Sequence, residues 1–502
     1  MKKTTKLLFS LASSLLIAGN VLAMTSCGEE TVSGVTTGEV PVVGYEGGDV
    51  TISFYHCMGS ALRDILSDGI ADFNNIYPNI KVLQTSFGDY PGVRDQISTE
   101  LASERSPSLA YCYPDHVALY NKSNTVLPLD GWVANTATAS NSGELMGFTA
   151  EQIADYNPTY YNEGKIYDEA GTLYTLPMLK STELLYYNKT YFDAHAANGL
   201  KIPTTWDEME QACAKIMEIE SAKEGGLEKN PVIPLGYDSG ANWFITMTEQ
   251  LGSGYTTSEK GNYFTFNNET NLDFVEKFRG WYKNQYVTTE ETFGSYTSDL
   301  FTEIDPAKTK CYMCIGSSAG AGYQCPDPLE DKSYPFEVGV AMIPQVKTAD
   351  ELAAAEQNPT MISQGPSICL FKKQDPQEVA AAWLFAKYIT TNHKFQAKCS
   401  INNGYTPAIL SITQNENYAK FLNNADGNKY LQATAVKLTM SMNPDYYFVS
   451  PAFNGSSAAR DAMAELMKNA FRQEPEGGKT AKQMIQDLFD KTEKDLKRKY
   501  DK

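Results

Sequence analysis

Apolar residues alternate with polar ones at Val50, Ile52 and Phe54, the two-residue period of a strand with one buried face. Leu62, Ile65, Leu66, Ile70 and Phe73 then recur at three- and four-residue spacing, which lines up one apolar stripe on a helix. Tyr77-Pro78-Asn79 stops that helix, since proline has no amide hydrogen to continue it. Ile80-Lys81-Val82 opens the next strand. Strand, helix and strand in close succession predict a βαβ unit. A second helix is expected from Tyr90 or Gly92 to Ser103, and a strand from Ser108 to Tyr113.

The same alternation continues through Leu184–Tyr187, Trp206–Ile216, Leu272–Trp281, Cys311–Ile315, Val338–Ile343 and Pro376–Thr390. The final helix carries Met484, Ile485, Leu488, Phe489 and Leu496 on one stripe. Its Asp487, Asp490, Glu493 and Asp495 alongside lysines argue against a basic membrane-surface helix. No internal repeat is visible. Short apolar strands between helices place the chain in the α/β class. At 502 residues it exceeds the roughly 250–300 that one hydrophobic core organises, so it divides into more than one body.

The N-terminus has its own pattern. Lys2, Lys3 and Lys6 precede an apolar run from Leu7 to Ala18, too short for a stable span and shaped like a secretion signal. It ends at Met24-Thr25-Ser26-Cys27-Gly28, which resembles a bacterial lipobox. That resemblance implies lipidation of Cys27 and cleavage before it, leaving residues 1–27 as signal peptide. Residues 28–49, rich in Gly, Thr, Val and Glu without a periodic apolar face, predict a flexible tether. No other stretch approaches the ~18 apolar residues of a membrane span, so the expected location is the outer face of the membrane, held by lipid.

Charge narrows the partners. The formal net charge is -19, and loss of the three N-terminal lysines makes the mature chain more acidic still. Nucleic acid and anionic headgroups would be repelled. The 31 tyrosines offer flat apolar faces tipped with hydroxyls, suited to sugars, although tyrosine is also an ordinary strand residue. Nine cysteines show no compact spacing. Cys311-Tyr312-Met313-Cys314 is a CxxC, read as inward-facing residues of a buried strand and not as a redox pair. No histidine or cysteine sits at zinc spacing, the acidic run Asp327 to Asp331 lacks a calcium-loop ladder, and Gly478-Lys479-Thr480 is only a fragment of a phosphate loop. No metal or cofactor is expected.

Gly316-Ser317-Ser318-Ala319-Gly320 is a literal G-x-S-x-G after a strand, which would cast Ser318 as a nucleophile with Asp375 or another acid and His393 downstream. A pattern of small residues is easily matched by chance, and His393 lies in a polar stretch at a helix end. A serine hydrolase is therefore the rival reading.

Several segments resemble family 1 extracellular solute-binding proteins, the group of maltose-, multiple-sugar- and glycerol-3-phosphate-binding proteins. They are Phe73 to Val82, Leu173-Tyr174-Thr175-Leu176-Pro177 with Leu185-Tyr186-Tyr187-Asn188-Lys189, Pro203-Thr204-Thr205-Trp206-Asp207-Glu208, Ala381 to Ile389, and Gly404-Tyr405-Thr406-Pro407. Each is weak alone; their order along residues 50–502 is what carries the resemblance. It implies a two-lobe, hinge-connected type II periplasmic-binding-protein fold, no enzymatic activity, a small-molecule ligand in an interlobe cleft, ABC permease subunits as partners, and a monomer. Lobe one is expected from 50–180 plus 312–363 and lobe two from 181–311 plus 364–502. Crossings are expected near 178–184, 308–314 and 362–368.

The glycerol-3-phosphate-binding branch is resembled at Phe54 to Met58, Gly88-Asp89-Tyr90, Ser181-Thr182, Ser317-Ser318 and Tyr405. Carried over, Tyr90, Ser181, Ser318, Gly365 and Tyr405 are the foremost binding candidates, with Thr182 and Ser317 beside them. Trp243, in a Gly-containing loop before a helix, is a candidate stacking residue. Asp115 and Asn454 are candidate hydrogen-bond partners. The loop Ser450 to Gly455 departs from that branch: it has no arginine, and Arg460 lies later in a helix. A phosphate dianion would lose its bidentate partner. The expected ligand is thus a neutral mono- or oligosaccharide, with a polyol phosphate as the alternative.

Overall fold

A computed structural model describes residues 32–423 and 427–501. The signal segment and Cys27 lie outside the described residues. The predicted βαβ unit forms: Val50–His56 runs parallel to Ile80–Ser86, with Val50 opposite Ile80, and the helix Ser60–Ile76 connects them. Leu62, Ile65, Leu66 and Phe73 are its buried stripe.

Two five-stranded sheets organise the molecule. The first runs Ile80–Ser86, Val50–His56, Leu109–Cys112, Ser367–Leu370, Thr175–Pro177. Ser367–Leu370 is antiparallel to both its neighbours. Helix Pro376–Thr391 packs on this sheet and buries Trp383 and Phe385 completely. The second sheet runs Val338–Met342, Glu183–Asn188, Met313–Ser317, Leu235–Tyr237, Val287–Thr289. Its core is continuous with helices Trp206–Ser221, Gly240–Leu251, Glu269–Lys283, Ser456–Arg472 and Ala481–Tyr500. The start of Trp206–Ser221 follows its sequence: Thr205 accepts from the Glu208 amide, and Glu208 accepts from the Thr205 amide, a reciprocal cap.

The order in which the chain returns differs from expectation. Strands Met313–Ser317 and Val338–Met342 belong to the second sheet, so 312–363 is part of lobe two. Ser367–Leu370 and the helix after it belong to lobe one. The chain crosses between Thr175–Pro177 and Glu183–Asn188, and again between Met361–Ile362 and Ser367–Leu370. There is no crossing at 308–314, because Val287–Thr289 and Met313–Ser317 share one sheet. The return to lobe two passes through helix Tyr430–Ser441, which gives Leu431 and Ala435 to one core and Ala433 and Val436 to the other. Strands buried on both faces read as uniform apolar runs, so their pattern names a strand without naming its sheet.

Residues 32–49 also depart from the expected tether. The Ser33 amide donates to Glu378 at 2.6 Å, the Glu46 amide to Gln377 at 2.9 Å, Val35 bridges to Lys373, and Tyr45 is buried. This segment is a strap on lobe one. Its few apolar side chains find a complementary surface that no periodicity announces.

Candidate ligand-binding site

A cavity of about 660 Å³ opens between the two sheets. On the lobe-one side it is walled by residues just past the ends of parallel strands: Cys57 and Met58 after Val50–His56, Gly88 and Tyr90 after Ile80–Ser86, and Tyr111 and Tyr113 around the end of Leu109–Cys112. Ligands of open α/β sheets bind at such strand ends, where side chains leave the sheet toward a crevice. Gly88 supplies a left-handed turn (φ 82°), and Asp89 then caps helix Tyr90–Leu101 through the Gly92 amide at 2.7 Å. That cap sets Tyr90 at the cleft, where its ring stacks on Tyr113 with centroids 4.2 Å apart and planes 21° apart.

Lobe two contributes Glu183 at the start of its strand, Asp238 and Ser239 after Leu235–Tyr237, Ser317 at the end of Met313–Ser317, Tyr323 and Gln324 from the 3-10 turn that follows it, and Tyr296 from a loop. Ser181, Gln364 and Gly365 form the hinge edge, and Tyr405 closes a corner. Gly365 has φ 92°, and a Cβ there would fall 2.3 Å from the Leu179 carbonyl oxygen. Glycine is what lets the two hinge segments touch. Beneath them Lys180 and Glu163 form a buried ion pair at 2.5 Å, and Ser363 donates to the same carboxylate.

Among the described residues, no lysine or arginine lines this cavity. Glu183 is 2% exposed and accepts from the Tyr237 hydroxyl at 2.6 Å and from Asn242 Nδ2 at 3.1 Å. Burial pushes its carboxyl up to about 7, against the stabilising pull of those two donors. Asp238 is also raised, chiefly by burial, while the Thr297 amide and hydroxyl, both at 2.7 Å, oppose the shift. Arg460 stands outside the cavity. It donates to Asn242 Oδ1 at 2.6 Å and lies 3.9 Å from Asp115.

Of the residues proposed from sequence, Tyr90, Ser181, Ser317, Gly365 and Tyr405 line the cavity together. The others lie elsewhere. Thr182 and Ser318 are fully buried and are spent on structure: the Thr182 amide donates to Ser318 Oγ at 3.3 Å, and the Thr182 hydroxyl to the Ile362 carbonyl at 2.8 Å. Trp243 is 0% exposed and is sandwiched between Tyr237 (4.9 Å) and Phe278 (4.1 Å) in the lobe-two core, because its helix presents that side inward. Asp115 borders a separate pocket of about 40 Å³ with Arg460, adjoining the main cavity through Tyr113 and Gln364. Asn454 lines neither of these two cavities.

The nucleophile arrangement is not assembled. Ser318 begins a 3-10 turn with its hydroxyl turned to Thr182. His393 Nε2 lies 2.9 Å from the Ser411 hydroxyl instead, and Asp375 caps helix Pro376–Thr391.

Sequence reading missed Glu183, Asp238, Tyr113, Tyr296 and Gln324. Two signals were available. Glu183 abuts the apolar run Leu184 to Tyr187, and Asp238 follows Leu235-Gly236-Tyr237. A carboxylate at the edge of a buried strand is costly and marks a place where something must compensate it.

A family model described as bacterial extracellular solute-binding protein matches residues 69–426. The sn-glycerol-3-phosphate-binding periplasmic protein UgpB of Salmonella typhimurium is 25% identical over 378 residues, covering 73% of this chain and 77% of that one. The Rhizobium meliloti protein of the same name is 25% identical over 168 residues, 33% of this chain and 36% of that one. Among solved structures, UgpB from Mycobacterium tuberculosis in complex with glycerophosphocholine superposes with a TM-score of 0.63 at 15% identity, covering 90% of this chain and 98% of that one. The ABC substrate-binding protein Lmo0181 from Listeria monocytogenes, in complex with cycloalternan, gives 0.64 at 16% identity, covering 89% and 99%. The fold is thus the two-lobe type II periplasmic-binding-protein fold, and the chain belongs to the bacterial extracellular solute-binding proteins.

Proposed function

We propose that this protein is the capture subunit of an ABC importer and that its solute is a mono- or oligosaccharide. It would be held at the outer face of the membrane by a lipid on Cys27 and act as a monomer. The observation that carries the reading is the composition of the cleft: stacked and single tyrosine rings, carboxylates, hydroxyls and amides, with no cationic side chain along the wall among the described residues. Tyrosine faces cover the apolar faces of a sugar ring, while carboxylates and amides take its hydroxyl hydrogens. The solute bridges the lobes, shifts the open–closed equilibrium toward the closed form, and leaves unchanged for a membrane permease. No covalent bond is made or broken. Ser318, the one serine in a nucleophile-like motif, already uses its hydroxyl to join two segments at the hinge.

The names of the relatives favour a glycerol phosphate as the second reading. Arg460 is committed to Asn242 and faces Asp115, so a dianion reaching for it would meet a carboxylate beside the guanidinium. A thermal-shift screen of the purified protein against mono- and oligosaccharides and sn-glycerol-3-phosphate decides between them. A saccharide at a hundred times its Kd should add about 2.7 kcal/mol of stability. Stabilisation by glycerol-3-phosphate with none by any saccharide would overturn the proposal.

A further inference from the structure

We infer that the solute carries an ammonium group, seated against the lobe-two wall of the cleft between Asp238, Glu183 and Gln324. The inference rests on the cleft being the ligand site and narrows the expectation of a neutral sugar to an aminated one.

The wall is acidic, and the charge of Arg460, which stands outside the cavity, offsets it in part at Glu183. Glu183, Asp238 and Asp299 line the cavity. The charge of Asp238 raises Glu183, those of Asp299 and Glu291 raise Asp238, and those of Glu291 and Asp238 raise Glu290 beside it. The nearest guanidinium is the already engaged Arg460. Carboxylates taken out of water without a cationic partner are expensive to keep ionised.

The wall is also built of acceptors. Asp238 Oδ1 takes both hydrogen bonds from Thr297, which leaves Oδ2 with a single long contact, 3.5 Å, from Gln324 Nε2. Gln324 is 2% exposed, and its Oε1 finds no partner among the described residues. Across the cavity Tyr111 is equally buried, and its hydroxyl is likewise without a partner there. A sugar hydroxyl both donates and accepts and brings no charge. An ammonium brings three donors, no acceptor and a positive charge, which matches Asp238 Oδ2, Gln324 Oε1 and the Glu183 carboxylate together.

Two aromatic rings at the mouth complete the complement. Tyr296 and Tyr323 line the cavity yet are 62% and 73% exposed. Rings within about 6 Å of a cation attract it through their negative faces, so a bound cation gives these exposed side chains a role. The ammonium could belong to an amino sugar or to an aliphatic polyamine, and the chemistry of the wall is the same for both.

The test is titration calorimetry at neutral pH with three probes: a glucosamine tetramer with free amines, its fully N-acetylated counterpart, and spermidine. The aminated tetramer should bind at least tenfold tighter than the acetylated one. Asp238→Asn, which keeps the shape and the Thr297 bonds, should remove most of that preference by weakening the aminated tetramer far more than the acetylated one. Glu183→Gln provides a second variant, and the melting temperature of each verifies folding. Equal or tighter binding of the acetylated tetramer overturns the inference and leaves the carbohydrate reading standing. Binding of spermidine with neither tetramer supports the ammonium and overturns the carbohydrate. Failure of both amine probes, or a preference unchanged in both variants, overturns the inference.

Discussion

Glu183 offers the sharpest test of how the cleft is held. The perturbation is Glu183→Gln, which keeps the side-chain shape and one acceptor oxygen for Asn242 Nδ2, while its amide nitrogen faces the Tyr237 hydroxyl, which can accept. The wild-type carboxyl, ordinarily near 4.5, sits at about 7, with burial as the largest cause. The sign follows from which state holds the proton. Between those values the folded protein is protonated here and the unfolded chain is not, so stability falls as pH rises and levels off above about 7. The contribution is fully present below the unfolded value. At about 1.4 kcal/mol per unit, the loss between pH 5 and pH 8 is roughly 2.5 kcal/mol. Glutamine does not titrate and escapes it. Urea unfolding of both proteins at a series of pH values should therefore show the variant gaining on the wild type by about 2–3 kcal/mol from pH 5 to pH 8. A difference that stays constant with pH would refute the idea that burial outweighs the two donors and the Arg460 charge acting on Glu183.

Trp243→Ala should cost about 3–5 kcal/mol through the cavity left between Tyr237 and Phe278, visible as a lowered melting temperature; a variant that melts like the wild type would contradict its place in the core. Gly365→Ala should destabilise by about 1–3 kcal/mol from backbone strain alone, with the clash against the Leu179 carbonyl added, and should weaken solute binding because the hinge segments are forced apart; unchanged stability and affinity would show that the hinge tolerates separation. Cys27→Ser should move the protein from the membrane fraction to the soluble one on fractionation of cells, and continued membrane association would sink the lipid anchor.

Much of the architecture was readable from residue order alone, for a local reason. Helix Trp206–Ser221 begins where Thr205 and Glu208 can cap each other, and helix Ser60–Ile76 ends at Tyr77-Pro78. The strands Val50–His56 and Ile80–Ser86 were likewise marked by their own spacing. These features depend on residues a few positions apart. Tyr90 came from the family resemblance, and its placement also has a local cause, since Gly88 and Asp89 turn and cap the chain just before it.

What needed the tertiary structure is everything set by distant partners. Met313–Ser317 and Ser367–Leu370 are both short and wholly or nearly buried. Either could have joined either sheet, and only pairing with Glu183–Asn188 in one case and Leu109–Cys112 in the other decided the lobes. Trp243 and Ser318 are residue types suited to a binding site, yet one faces Phe278 and the other Thr182. Glu183 became a charge of the cleft only because the fold buries it at the cavity edge, with Arg460 held outside the cavity by Asn242. Sequence spacing reports which face of an element is apolar. Which surface meets that face, and what a polar side chain then touches, is decided by packing between segments hundreds of residues apart.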